Sequence, residues 1–240
     1  MQTQMQNNAL ATEIISNNQQ LEVRYYNTVS KQVHSIQTNQ IILATPQFVN
    51  KKLLPNETYR NAIINEKLHY VPWMVANLHT ENLVERNGAP LSWDNVLYNS
   101  ESLGYIKANH QLLTQSKGSN NLTYYLPLTN HAPTTERQHA YDKKQEDWAD
   151  LVMNDLKVVH PNIADATKQI DVMVWGHAMA QPLPNLIHSD IRKKLQQSIN
   201  NKIHFAHTDL AGISIFEEAF YQGIHAAKKV IEQLNNESNK

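Results

Sequence analysis

The apolar positions change their period several times along the chain, and each change marks an element. Ile41-Ile42-Leu43-Ala44 is an unbroken apolar run that Pro46 closes. Such a run suits a short strand buried on both faces, and residues 40–44 are read as one. Upstream, 21–26 and 31–36 read as two further strands, and Leu10, Ile14 and Ile15 group on one side of a helix over 5–16. Residues 46–66 read as two helical pieces split near Pro55. Pro72 makes 67–78 an edge strand or a bulged one. Short strands follow at 95–99, 103–109 and 122–128, with a turn signal in Ser-Lys-Gly-Ser-Asn-Asn at 116–121.

In the second half, Trp148, Leu151, Val152, Leu156 and Val159 keep helical spacing and predict one helix over 134–159, closed by Pro161. Residues 169–175 predict a strand, 187–199 a helix and 202–206 a short strand. Phe216, Ala219, Phe220, Gly223, Ala227, Val230, Ile231 and Leu234 fall on one stripe of a final helix. There is no internal repeat and no long linker. Strands and helices mix without regular alternation, which predicts an α+β fold with α/β-like parts.

Composition narrows the chemistry. The 240 residues are 41% apolar and 18% charged, which excludes global disorder and supplies a core. Formal net charge is −1 and no basic stripe appears, so nucleic acid is not an expected partner. The absence of cysteine removes disulfides, thiolate metal sites and thiol nucleophiles. No apolar run approaches the roughly 20 residues of a membrane span. The first fourteen residues lack the regions of a signal peptide, which predicts a cytoplasmic location. The chain has 6 glycines, against about 17 for an average chain of this length. No two have the spacing of a G-x-G-x-x-G or Walker-type loop, so no phosphate-cradling loop is expected within the chain.

Candidate chemistry concentrates at 202–223, where a short strand runs through a polar loop into the last helix. Asp209 lies just past the strand, and Ser214 with Glu217 has the spacing of a capping box. A helix N-terminus there can seat an anion or an electron-rich ring edge, because its free N–H groups point outward. An ordinary capped turn is the other reading. His204, His207 and Asp209 form the densest cluster of metal-type ligands, but positions 204 and 207 face opposite sides of a strand. No HExxH pair exists, and no metal site is expected. No G-x-S-x-G elbow exists either. Trp175 ends a predicted strand ahead of Gly176-His177-Ala178-Met179, Pro182 and Pro184, a stiff loop that either lines a pocket or turns a structural corner.

The segment from His204 to Ile231 resembles the C-terminal flavin-contact motif of the flavin-containing amine oxidase and phytoene desaturase superfamily. The strand end Phe205-Ala206, the acid Asp209, the helix opening Phe216-Glu217-Glu218-Ala219, and then Gly223 with Ala226-Ala227 follow the family's order. Gln40 to Pro46 resembles the family's apolar strand beside the cofactor. Residues from Asn8 onward resemble the elements just before it, and Trp175 to Pro184 resembles the loop near the flavin ring. Nearly the whole chain takes part, but it matches only the C-terminal part of such an enzyme. The N-terminal glycine loop is absent, and His207 and Glu218 stand where the family usually has glycine.

The resemblance implies a partial FAD-binding Rossmann-type domain (1–66 and 171–240) with an inserted mixed β-sheet substrate domain (67–170). It implies FAD, held only together with an N-terminal half or a partner chain, and hydride transfer from a small amine-type or desaturable substrate. The implied cofactor-binding residues are Thr45, Pro46, Trp175, His207, Thr208, Asp209, Ile215, Phe216 and Glu217. Asp209 would meet the ribityl or diphosphate region, and the N–H groups near Phe216 would face flavin O2. His177 and Lys107 are the residues named for catalysis. The competing readings are a truncated or repurposed, non-catalytic binding subunit and an unrelated α+β hydrolase.

Overall fold

The computed structural model describes residues 4–16, 20–84, 91–109 and 118–238. In chain order the elements are β1 (Ala9–Ser16), β2 (Leu21–Asn27), β3 (Gln32–Thr38), β4 (Ile41–Leu43), α1 (Gln47–Leu53), α2 (Thr58–Lys67) and β5 (Tyr70–Glu81). Then come β6 (Asp94–Asn95), β7 (Tyr105–Lys107), β8 (Ser119–Pro127), α3 (Pro133–Asp142), α4 (Gln145–Leu156) and α5 (Ile163–Ala166). The chain ends with β9 (Thr167–Ala180), α6 (Asp190–Gln196), β10 (Ile203–Phe205), a 3-10 turn at Thr208–Leu210 and α7 (Phe216–Ser238). Two compact units form: Tyr70–Met179, and the residues up to His69 together with those from Ala180 onward.

In the first unit β1, β2 and β3 make an antiparallel meander. β4 and β10 pair in parallel, Ile41 opposite Ile203 and Leu43 opposite Phe205. Ile203, Phe205 and Leu43 are buried, as the apolar runs require. Parallel pairing has a consequence for function: both strands end on the same side. The loops that follow them, Ala44-Thr45-Pro46 and Ala206 to Gly212, therefore emerge next to each other, the usual place for ligands in parallel sheets. α7 packs on β10 and on the 3-10 turn.

The second unit is a five-stranded sheet in the order β6-β7-β8-β5-β9. β5 and β8 pair antiparallel, and their alternating residues Met74, Ala76, Leu78, Leu122, Tyr124 and Leu126 point into one core. Trp148, Val152 and Leu156 of α4 cover that face at helical spacing. The opposite face carries Trp73 stacked on Tyr125 at 6.4 Å. Among the described residues no helix is long and apolar enough to cross a membrane.

Several elements differ from the sequence expectation. Residues 5–16 hold a strand, not a helix. A bulge between Ala11 and Glu13 shifts the strand's period, and only Ile14 is buried, so the pattern imitates a helical stripe. The helix over 134–159 is two helices, because Lys143 and Lys144 adopt extended backbone between them. The 187–199 helix shortens to α6. β5 is not an edge strand; it lies between β8 and β9, and Pro72 sits near its first end, where no central ladder bond is lost. β9 runs past Trp175 to Ala180, so Gly176-His177-Ala178-Met179 is strand rather than loop, and residues 171–179 belong to the second unit. The turn expected at 116–121 lies partly outside the described residues.

The shortage of glycine also finds its explanation. Six asparagines (Asn8, Asn82, Asn99, Asn185, Asn200 and Asn201) take positive φ between 51° and 66° at turns. Asparagine tolerates that region because its short side chain bonds the local backbone. Gly104 is a place where asparagine would fail. Its φ is +101°, and a Cβ there would lie 2.0 Å from the Asn95 carbonyl oxygen across the β6–β7 pair. Gly104→Ala is expected to destabilise the protein by about 2 kcal/mol or more, from strain and displaced backbone. Urea unfolding measures it, and an unchanged midpoint contradicts this account of the turn.

Candidate functional site

The two loops at the ends of β4 and β10 are joined by a buried contact. The Gln47 backbone N–H, at the first residue of α1, donates to Asp209 Oδ2 at 2.8 Å. Pro46, the N-cap of α1, offers no side-chain acceptor, so α1 takes its cap from 162 residues away. Asp209 is 2% exposed. A carboxylate facing a helix N-terminus is favoured by both the hydrogen bond and the helix dipole.

The turn between β4 and α1 closes on itself. Thr45 Oγ1 donates to Asn50 Oδ1, and Asn50 Nδ2 returns to the Thr45 carbonyl at 3.1 Å. The Pro46 carbonyl accepts from Val49 and Asn50 N–H groups. Beneath it lies Gln47, fully buried, whose Oε1 accepts from Arg60 Nη2. Arg60 also donates to the Leu195 carbonyl at 2.8 Å, and its guanidinium sits 3.5 Å over the Phe205 ring. Burial pulls its pKa down to about 10, which leaves it charged at neutral pH. One cation thus ties α2 to α1, α6 and β10.

The 3-10 turn is built around His207, its N-cap. Nδ1 lies 3.2 Å from the Asp209 N–H and 3.1 Å from Asp209 Oδ1. Unprotonated, Nδ1 accepts the backbone N–H; protonated, it donates to the carboxylate. Thr208 Oγ1 is 3.4 Å from the same nitrogen. The Leu210 carbonyl accepts from Arg192 Nε and Gln196 Nε2, which fastens the turn to α6. Gly212, at φ +72°, then reverses the chain toward α7. α7 opens at Phe216, with the Ala219 N–H bonded to the Ile215 carbonyl. The N–H groups of the first three helical residues therefore have no partner within the helix. Around this end Ile213, Ile215, Phe216 and Phe220 are exposed, and Phe216 stacks on Phe220 at 6.1 Å. Glu217 and Glu218 fill the first turn.

The structure brings Thr45, Pro46, His207, Thr208 and Asp209 together at adjacent strand ends, with Ile215, Phe216 and Glu217 at the start of α7 beyond Gly212. It gives Asp209 a definite task, capping α1. His204 does not join His207 in a ligand set: it is buried, with Nδ1 2.8 Å from Ser198 Oγ and Nε2 2.9 Å from Gln40 Oε1. Trp175 and His177 belong to the second unit. Val174 packs on that unit's core, so Trp175 and His177 face away from it, and Trp175 is 55% exposed. His177 packs tilted on Tyr70 at 5.9 Å. Lys107 is half-buried at the end of β7.

Three residues central to the site, Gln47, Asn50 and Arg60, escaped the sequence reading. Polar residues on a short helix look like a solvated face. Only the position of Gln47 and Asn50 directly after Thr45-Pro46 hinted that they would fold back.

The residues here can be tested for fit to a flavin. Buried Gln47 Nε2 and Arg60 Nε, beneath the β4–α1 turn, have no hydrogen-bond partner within the protein. The exposed α7 start offers N–H groups and apolar surface to a ring. A diphosphate cradle is not among these residues. The chain thus fits the ring-side portion of an FAD site.

The family model described as flavin containing amine oxidoreductase matches residues 3–231, and the chain belongs to that family. Its fold is similar to cyclohexylamine oxidase from Brevibacterium oxydans, with a TM-score of 0.66 at 11% identity over 94% of this chain and 48% of that one. The chain therefore spans about half the length of that oxidase. A slighter likeness, TM-score 0.49 at 8% identity, covers 95% of this chain and 39% of the glycerol-3-phosphate dehydrogenase from Bacillus halodurans complexed with FAD. No curated protein matches by sequence. The fold is that of an FAD-dependent oxidoreductase, mixed α/β with a partial Rossmann-like domain.

His204 makes the first unit sensitive to acid. Burial, and then the Lys229 charge, lower its pKa from the ordinary 6.5. As pH falls below about 6.5 the unfolded chain takes up the proton first, so stability declines until the folded pKa is passed. The stability advantage of the parent over His204→Gln should be largest above about pH 7 and shrink toward pH 5. Thermal unfolding across that range checks it, and a pH-independent difference contradicts it.

Proposed function

We propose that this chain is the C-terminal, ring-side portion of a flavin-dependent amine oxidoreductase, completed by a segment that carries the glycine loop for the FAD diphosphate. The observation that carries the reading is the Asp209–Gln47 contact, which holds the β4–α1 turn against the β10–α7 turn. When bound, the flavin accepts a hydride from the substrate. The protein's part is to bind and orient. In this reading Thr45 and Pro46 flank the cofactor, and Asp209 acts as a positioning residue through α1 rather than as a free carboxylate. Thr208 and His207 line the turn beside it. The N–H groups around Ile215 to Glu217 face the electron-rich edge of the ring, where the α7 dipole favours negative charge. Glu217 and Glu218 oppose that charge, which favours a neutral over an anionic ring edge.

The second unit takes the substrate-domain role. Its outer sheet face carries Trp73, Tyr125, Trp175 and His177, an aromatic wall suited to a small organic substrate with a polar handle. His177, on that face, is the residue assigned to catalysis; Lys107 lies opposite buried Leu122 in the ladder and so on the other face of the sheet.

A second reading, a non-catalytic partner-dependent subunit, is favoured by the exposed apolar residues of α7, Phe216, Phe220, Ile231 and Leu234. One experiment separates the two. The chain is purified alone and also co-expressed with a segment supplying G-x-G-x-x-G, and each is assayed for flavin absorbance and for oxidation of primary amines. The chain alone should be colourless, and the complemented protein should hold one FAD and reduce it with an amine. Complementation without flavin, or flavin that no amine reduces, contradicts the enzymatic reading.

A further inference from the structure

Far in sequence from the flavin turns, the start of α3 gathers three metal-type ligands. His131 precedes the helix by two residues, Glu136 lies in its first turn and His139 follows one turn later. A Glu-x-x-His spacing places both side chains on one helical face. Ala132, extended at ψ 141°, and Pro133 at the first helical position fold His131 back over that face. His131 Nδ1 lies 2.7 Å from Glu136 Oε1, and the two imidazole rings meet edge-on, with centroids 5.5 Å apart at 83°. One ligand atom from each residue lies within 4.8 Å of the other two.

The burial pattern distinguishes this trio from a surface cluster. Glu136 is 8% exposed, whereas both histidines are exposed. The carboxylate is therefore fixed, and the two rings can adjust around it. The neighbouring cation does not neutralise it: Arg137 donates instead to the carbonyls of Gly176, Pro133 and Tyr70. A tetrahedral ion with ligand bonds of about 2.0–2.1 Å holds its ligand atoms roughly 3.3 Å apart, so small ring rotations suffice to seat one.

We infer that His131, Glu136 and His139 form a binding site for a divalent first-row transition metal, Zn²⁺ by preference, outside the flavin site. Two imidazole nitrogens and one carboxylate oxygen suit zinc, cobalt or nickel and disfavour calcium and magnesium, which want oxygen donors. Three protein ligands leave a fourth position open to water on the exposed side. Bound there, the ion cross-links the end of the β8–α3 connection to the helix. The absence of cysteine and of an HExxH pair hides the site in the sequence, because His131 lies outside the helix that carries the other two.

The test is calorimetric titration of the chelator-treated full chain with Zn²⁺, with Co²⁺ as a spectroscopic reporter of coordination. The parent should bind one equivalent. His131→Ala, His139→Ala and Glu136→Gln should each weaken binding by about tenfold or more, while His225→Ala, an exposed histidine elsewhere, leaves it unchanged. Circular dichroism confirms that each variant keeps the fold, and the two exposed-histidine variants keep the test decisive if Glu136→Gln does not. No stoichiometric binding, or binding equally strong in both His131→Ala and His139→Ala, overturns the site.

Discussion

The first unit depends on how one buried glutamine is held from both ends. Gln47 gives its backbone N–H to Asp209 and its side-chain oxygen to Arg60. Asp209 comes from the turn after β10, and Arg60 from α2, where it also covers Phe205 of β10. Remove either partner and a buried polar group is left without its bond, at a cost of about 1–3 kcal/mol. The pairing matters more for placement than for stability. It fixes the start of α1 against the strand end where the parallel pair β4–β10 opens. That is where a strand–turn–helix fold receives a ligand.

From this constraint the flavin reading follows in order. Parallel strands bring two loops to one edge. The Asp209 bond keeps them in register. Gly212 then turns the chain so that α7 begins exposed, with N–H groups that have no partner within the helix and apolar side chains around them. Membership of the flavin containing amine oxidoreductase family agrees with a flavin reading of these turns, and the chain spans about half the length of cyclohexylamine oxidase. Asp209, the acid that the resemblance places at the cofactor, is buried and caps α1.

The legible parts of the sequence were those where burial sets the pattern directly. Ile203-His204-Phe205 reads as a strand and is buried throughout; Ile41-Ile42-Leu43 also reads as one, but only Leu43 of it is buried and Ile42 is exposed, and the two strands pair in parallel. The helix of α7 was equally clear, but not its buried face: Phe216, Phe220, Ile231 and Leu234 of the apolar stripe are exposed, and Gln222 and Ala226 are buried instead. β1 was not legible, since a bulge and a single buried residue blur period 2 into period 3.6. The break between α3 and α4 lies in two lysines whose backbone, not whose side-chain type, ends the helix. Gly176 to Met179 looked like a loop because prolines follow, yet β9 continues past Trp175 to Ala180. Arg60 could not be found at all: a buried cation and a solvated one look alike until the ring of Phe205 and the carbonyl of Leu195 surround it.

The most direct measurement of the central constraint is amide hydrogen exchange across Thr45 to Asn50 in the parent and in Asp209→Ala. Loss of the cap should raise exchange at Gln47 and its neighbours by about tenfold, equivalent to about 1.4 kcal/mol, while the β5–β8 core stays protected. Exchange unchanged at Gln47, with the variant folded, would contradict the claim that Asp209 holds the β4–α1 turn in place.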